Sequence, residues 1–151
     1  MSGSSGSRTV RTKHGGLVVV RGLARLAATI DRVTSDTDPT CLFCRIVAGE
    51  LPSTREHDDD LMIAIRDIAP RAPTHLLLLP KRHIESALDL TEADAELLGR
   101  MFSVAADLAR SMGIADAGYR LVSNVGAWGG QSVDHLHLHL MGGRSFDWPP
   151  G

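Results

Sequence analysis

Cysteine is scarce in this chain, and acidic residues are missing from its start. Two cysteines, Cys41 and Cys44, separated by Leu-Phe, cannot build the multi-bridge framework of a small secreted domain. No apolar run approaches the roughly 18 residues of a membrane-spanning helix, so no membrane partner is expected. Positive charge is not in excess either. Lys and Arg number 16 against 18 Asp and Glu, a formal net charge of −2, which removes the electrostatic argument for a nucleic-acid partner. What remains fits one domain with a tail: 151 residues, 43% hydrophobic and 23% charged, long enough to bury a core. A reducing, cytoplasmic setting is the expectation.

Residues 1–40 differ from the rest. The opening "MSGSSGSRTVRTKHGG" is Ser/Gly-rich and basic, and no Asp or Glu precedes Asp31. "LVVVRGLARLAATIDRV" is interrupted by Arg21, Gly22 and Arg25, and "TSDTDPT" reads as a linker. An acid-poor, Arg- and Ser-rich start also resembles an organellar transit peptide. A flexible basic extension is the simpler expectation. From Cys41 the signals are denser. "CLFCRIVAGELP" predicts a short helix stopped at Gly49. "LMIAIRD", "THLLLLP", "GYRLVSN" and "SVDHLHLHLM" predict strands. Thr91 caps the clearest helix, which carries Leu97, Leu98, Met101, Ala105, Leu108 and Met112 on one stripe and stops at Gly113. One long helix among strands implies an α+β layer with helices covering one face of an antiparallel sheet.

Three of the seven histidines fall in "HLHLHL", residues 135–140. On a strand, successive side chains alternate faces, so His135, His137 and His139 line one side and Leu136, Leu138 and Leu140 the other. A lone strand histidine is usually incidental; a row opposite an unbroken leucine stripe is not. Two chemistries compete. Histidines at i and i+2 can bind one zinc of a metal-dependent hydrolase. Alternatively, one imidazole attacks an electrophile while its neighbours orient it and move protons. Just upstream, "NVGAWGGQS" offers Asn124, Gln131, Ser132 and backbone amides around Gly126, Gly129 and Gly130, donors that suit a phosphate. A phosphate-directed histidine nucleophile leads.

These residues reach a family. "HLHLHL" after "NVGAWGGQSVD" resembles the histidine triad (HIT) proteins, and the likeness spans nearly all of residues 41–151. "DIAPRAPTHLLLLPKRHI", "GYRLVSNVGAWGGQSVDHLHLHLMGGR" and the closing "WPPG" look like its nucleotide-binding branch, the nucleoside phosphoramidases. The resemblance implies a HIT-like α+β fold with about five antiparallel strands, one long and one or two short helices, and a homodimer whose sheets join across a two-fold axis. It implies that His137 attacks the α-phosphorus of an adenosine 5′-monophosphoramidate, forming a nucleotidyl-histidine that water then hydrolyses. His139 would serve the phosphate and the leaving amine, while His135 and His75 fix tautomer and orientation. Asp67 matches the carboxylate facing the ribose hydroxyls, and Ile68 the apolar contact beside the purine. Asn124, Gly130, Gln131 and Ser132 match phosphate-side positions, and Trp148 belongs to the segment closing the leaving-group side.

The chemistry implied needs no cofactor. The resemblance does imply a structural zinc held by Cys41, Cys44, His83 and His135, because similar "CxFCxI" openings carry one in some HIT proteins. Free buried cysteines are the alternative. Two departures from the pattern bear on substrate preference: Asp134, expected to raise the pKa of His135, and Trp128, expected to narrow the pocket. A nucleotide-binding regulatory or scaffold protein with incidental catalysis is the rival from another class.

Overall fold

In the computed structural model the chain divides into two compact units, Met1–Thr34 and Ser35–Gly151. The structure describes residues 37–150 and, in the first unit, strands β1 (Val10–Arg11) and β2 (Leu17–Val18), which pair antiparallel. The extension expected over residues 1–40 otherwise lies outside the described residues, apart from 37–40. There Asp38 closes a turn into the domain, its carboxylate accepting from Thr40 N–H and its carbonyl from Cys41 N–H.

The second unit runs α1 (Leu42–Val47), β3 (Arg55–Asp58), β4 (Met62–Arg66), β5 (Thr74–Pro80), α2 (Ala95–Ser111), β6 (Tyr119–Val122) and β7 (Leu138–Gly142). Its five strands form one antiparallel sheet in the order β3-β4-β5-β7-β6. This is the α+β sheet expected. The sequence carries no signal for β3: "REHD" has no apolar residue, and it forms a partly exposed edge with a bulge between Arg55 and His57.

The sequence places the helices on one face of the sheet; in the structure they cover both. Met62, Ala64, Leu76, Leu78, Leu138 and Leu140 form a core with α2. Ile63, Ile65, Leu77 and Leu79 pack instead with Cys41, Phe43 and Cys44 at α1. The reason lies in β4 and β5, whose runs are apolar at nearly every position. Both of their faces are buried, so each needs its own cover.

Two boundaries also move. A 3-10 turn, Glu92–Asp94, precedes α2; there the Asp94 carboxylate accepts from Thr91 N–H and its hydroxyl, so the Thr91 cap acts one turn before the helix proper. The deep stripe of α2 includes Val104 and Ala109, while Leu98 and Met112 sit at its margin. The histidine strand starts late. β7 pairs with β5 only from Leu138, and Leu136 N–H instead donates to Ile84 O. Alternation survives this departure, since Leu136 stays with the α2 core. At the far end of β7, a Cβ on Gly142 would lie 2.5 Å from Ile114 Cδ1, so the strand needs glycine to slide under the α2 exit.

Leu140 is fully buried and faces Leu76 on β5 and Leu121 on β6. Leu140→Ala should lower the free energy of urea unfolding by about 2–5 kcal/mol. The assay is the shift in denaturation midpoint of the folded variant.

Candidate active site

The proton positions of the histidine row follow from its partners. His137 Nδ1–H donates to the carbonyl of His135 at 2.6 Å, which leaves Nε2 with its lone pair. Arg71 N–H donates to His75 Nδ1 at 3.1 Å, so the His75 proton sits on Nε2. From there it reaches His139 Nδ1 at 2.9 Å. The proton of His139 is therefore on Nε2, a buried atom with no hydrogen-bond partner among the described residues. An unpaired buried donor costs about 1–3 kcal/mol, so a ligand atom that accepts from it gains that much. The row thus presents a bare nitrogen on His137 and an uncommitted N–H on His139, with ring centroids 5.0 Å apart.

The surroundings keep these rings in place and disfavour charge on His75, His135 and His139. Phe43 of α1 meets the His137 ring edge-on at 5.2 Å and that of His135 at 5.9 Å. Burial pushes His139 down to about 4, and His137 and His75 act in the same direction. His75 is lowered as well, by burial first and despite Asp67, whose Oδ2 lies 3.5 Å from His75 Nε2. His135 falls to about 4 through burial. That corrects the expected upward effect of Asp134, which is exposed while the ring of His135 is fully enclosed.

The glycine-rich loop is built differently from the expectation. Gly126 and Gly130 take positive φ (66° and 78°), and a Cβ on Gly129 would overlap Val125 O at 2.3 Å. Several amides expected to face an anion have partners within the loop: Gly130 N–H donates to Ala127 O and Gln131 N–H to Gly126 O. The Gln131 side chain is a staple. Its Oε1 accepts from Gly126 N–H, and its Nε2–H2 donates to Glu85 O and Val133 O. Ser132 is exposed and Asn124 half-buried. Trp128 is fully exposed and narrows nothing; Ile68 and Trp148 are exposed too. Asp67 Oδ1 accepts from Ala69 N–H, closing the turn after β4.

A second cluster lies behind the row. Cys44 Sγ is 3.3 Å from His83 Nδ1 and 3.6 Å from His135 Nδ1, with Cys41 Sγ 3.5 Å from the latter. His135 Nε2–H donates to Pro80 O at 3.0 Å, turning Nδ1 toward the sulfurs. The S···N edge of a zinc tetrahedron is about 3.5 Å from ordinary bond lengths, so these four residues fit that ion. Without a cation, burial raises the Cys44 thiol.

The chain and its fold have counterparts among known proteins. A sequence profile of the HIT domain matches residues 48–146. The chain belongs to the HIT domain family. It is 47% identical over 103 residues to the purine nucleoside phosphoramidase of Escherichia coli K12, covering 68% of this chain and 87% of that one. A crystallised HIT family hydrolase from Legionella pneumophila superposes with a TM-score of 0.73 at 51% identity, over 74% of this chain and 99% of the other. A HIT family hydrolase from Clostridium thermocellum gives 0.72 at 44% identity, over 74% and 96%. At the level of reaction class the chain is a HIT hydrolase.

Some contributors to this HIT site carried no signal in the sequence. The His135 carbonyl and the Arg71 amide are backbone groups, and Phe43 is simply the residue between two cysteines. Because His139 is neutral in the fold and titrates at about 4 rather than 6.5, the fold is at full advantage above pH 6.5 and loses it as pH falls through 4. His139→Asn should flatten the slope of urea-unfolding free energy between pH 6.5 and 4 relative to the parent chain.

Proposed function

We propose that this HIT hydrolase is a purine nucleoside phosphoramidase acting on adenosine 5′-monophosphoramidates through a nucleotidyl-His137 intermediate. The observation that carries the reading is the pair of assigned protons. In the first step the His75–His139 pair takes up one proton from solvent as substrate binds, His137 Nε2 donates its lone pair to the α-phosphorus, the P–N bond breaks, and the amine departs with the proton of His139 Nε2, which leaves the pair neutral. In the second, His139 Nε2 takes a proton from water as its oxygen attacks phosphorus; the P–His137 bond breaks and AMP leaves. Asp67 receives the ribose hydroxyls, and Ile68, fully exposed beside it, offers apolar area to the purine. Asn124 and Ser132 serve the phosphate side, with Gln131 holding their loop and Gly130 shaping its turn rather than donating to the phosphate. Trp148 closes the leaving-group side.

The name of the E. coli relative supports the purine assignment. Against zinc carried by the triad itself stands the composition of the two groups of possible metal ligands among the described residues: Cys41, Cys44, His83 and His135 in one, Asp67, His75 and His139 in the other. Neither includes His137. The first would hold a structural zinc, whose four protein ligands fill the shell and tie α1 to the approach to β7. We further propose a cytoplasmic homodimer in which two copies join their sheets.

His137→Ala should lower kcat on an adenosine phosphoramidate by at least about 10⁴-fold while the variant stays folded. Mass spectrometry of the rapidly denatured wild-type enzyme should find one AMP adduct, on His137. Elemental analysis should give one zinc per chain, lost in Cys44→Ala with a lower Tm. If chelation abolishes turnover of a still-folded wild type, the triad is the metal site and this mechanism is wrong.

A further inference from the structure

Charge pairing in the domain is nearly complete, and its exceptions gather in one place. Among residues 37–150, Arg45, Arg55, Arg66, Lys81, Arg82, Arg100 and Arg110 each contact a carboxylate. The other three cationic side chains, Arg71, Arg120 and Arg144, have no carboxylate partner, and all three line the same cavity of about 300 Å³. His75, His139 and Asn124 are also in its wall.

The cavity sits over the histidine face of the sheet. Strand register places Arg120 beside Met141 and Val122 beside His139, and His75 also faces Met141. Phe146 holds two of the arginines flat: its ring centroid is 4.8 Å from Arg120 Cζ and 4.3 Å from Arg144 Cζ. Arg144 is further tied to the carbonyls of Arg71 and Ser145, and Arg120 to that of Asp147. The Arg71 guanidinium makes no hydrogen bond among the described residues. Arg120 and Arg144 are thus positioned, Arg71 is uncommitted, and none of the three has a carboxylate partner, in the wall that also includes His139, whose buried N–H lacks one too.

We propose that this cavity selects the leaving group, and that the amine released by the enzyme carries an anionic substituent, a carboxylate or a phosphate, bound by Arg71, Arg120 and Arg144. The inference rests on the phosphoramidase reading, in which His139 protonates the departing nitrogen. Whatever that nitrogen bears then lies against the cavity wall of which His139 is part. Guanidinium forks match both anions, so the two share one recognition chemistry. Arg71, Arg120 and Arg144 are in this view specificity-determining residues; they do not touch the reacting atoms.

The test uses four adenosine 5′-phosphoramidates of similar size, made from β-alanine, phosphoethanolamine, propylamine and ethylenediamine. The full-length wild type should prefer one or both anionic amines over propylamine by about tenfold in kcat/KM and disfavour the cationic one, with the preference shrinking as salt rises. Which anionic arm is faster identifies carboxylate or phosphate. Arg71→Gln, chosen because its guanidinium holds no part of the fold, should bring the anionic-to-neutral ratio toward one, as should Arg120→Gln. Turnover of all four at similar rates, or an arginine variant that slows every substrate equally, overturns the proposal and leaves the phosphoramidase reading standing. No turnover of any of the four overturns both.

Discussion

The hydrogen bond from His137 Nδ1 to the carbonyl of His135 is the contact on which the chemistry of this domain depends. It decides which nitrogen of the central histidine is bare. It is a main-chain contact, so its geometry is set by the path of residues 135–137, where the segment has left β5 for Ile84 and has not yet joined the sheet. His135 anchors that path at two further points, through Nε2–H on Pro80 O and Nδ1 among the thiols. One residue therefore orients the nucleophile with its backbone and ties the cysteine cluster to the sheet with its side chain.

The sheet supports this by dividing labour between its faces. The α2 side is built from leucine, methionine and alanine and carries no titratable group in its deep layer. The other side is shared between α1 and the imidazoles, with Phe43 bridging apolar packing and the triad. Burial on that side disfavours the charged forms of His75, His135 and His139. The positive charge nearby is supplied instead by arginines at the margin, where solvent reaches it.

Local regularities were legible in the sequence, and long-range partnerships were not. The period of two in "HLHLHL" told which side chains share a face even where no strand ladder forms, because alternation follows from extended backbone rather than from pairing. The start of β7 was hidden, since it depends on where β5 ends and on Ile84. The short charged strand β3 had no pattern to show. The apolar runs of β4 and β5 did hold the evidence for a covered second face, which one-sided reading of a single long helix passed over. Spacing marked Cys41 and Cys44, but His83 and His135 joined them only through a family resemblance, and the structure brings all four within reach of one ion. Nothing in the sequence distinguished Arg71, Arg120 and Arg144 from the seven paired cations.

The six-residue α1 is too short to persist as an isolated helix. Its attachment relies on Phe43, on the apolar contacts beneath it and on the thiol–imidazole cluster at its N-terminal end. At its C-terminal end Arg55 donates to Ile46 O and Val47 O, and a short segment held at these points can open at a fraction of the cost of global unfolding. When it lifts, the ring that confines His137 lifts with it, while α2 and the leucine core stay closed. Amide exchange in α1 would then report the opening of the catalytic face independently of the stability of the domain as a whole.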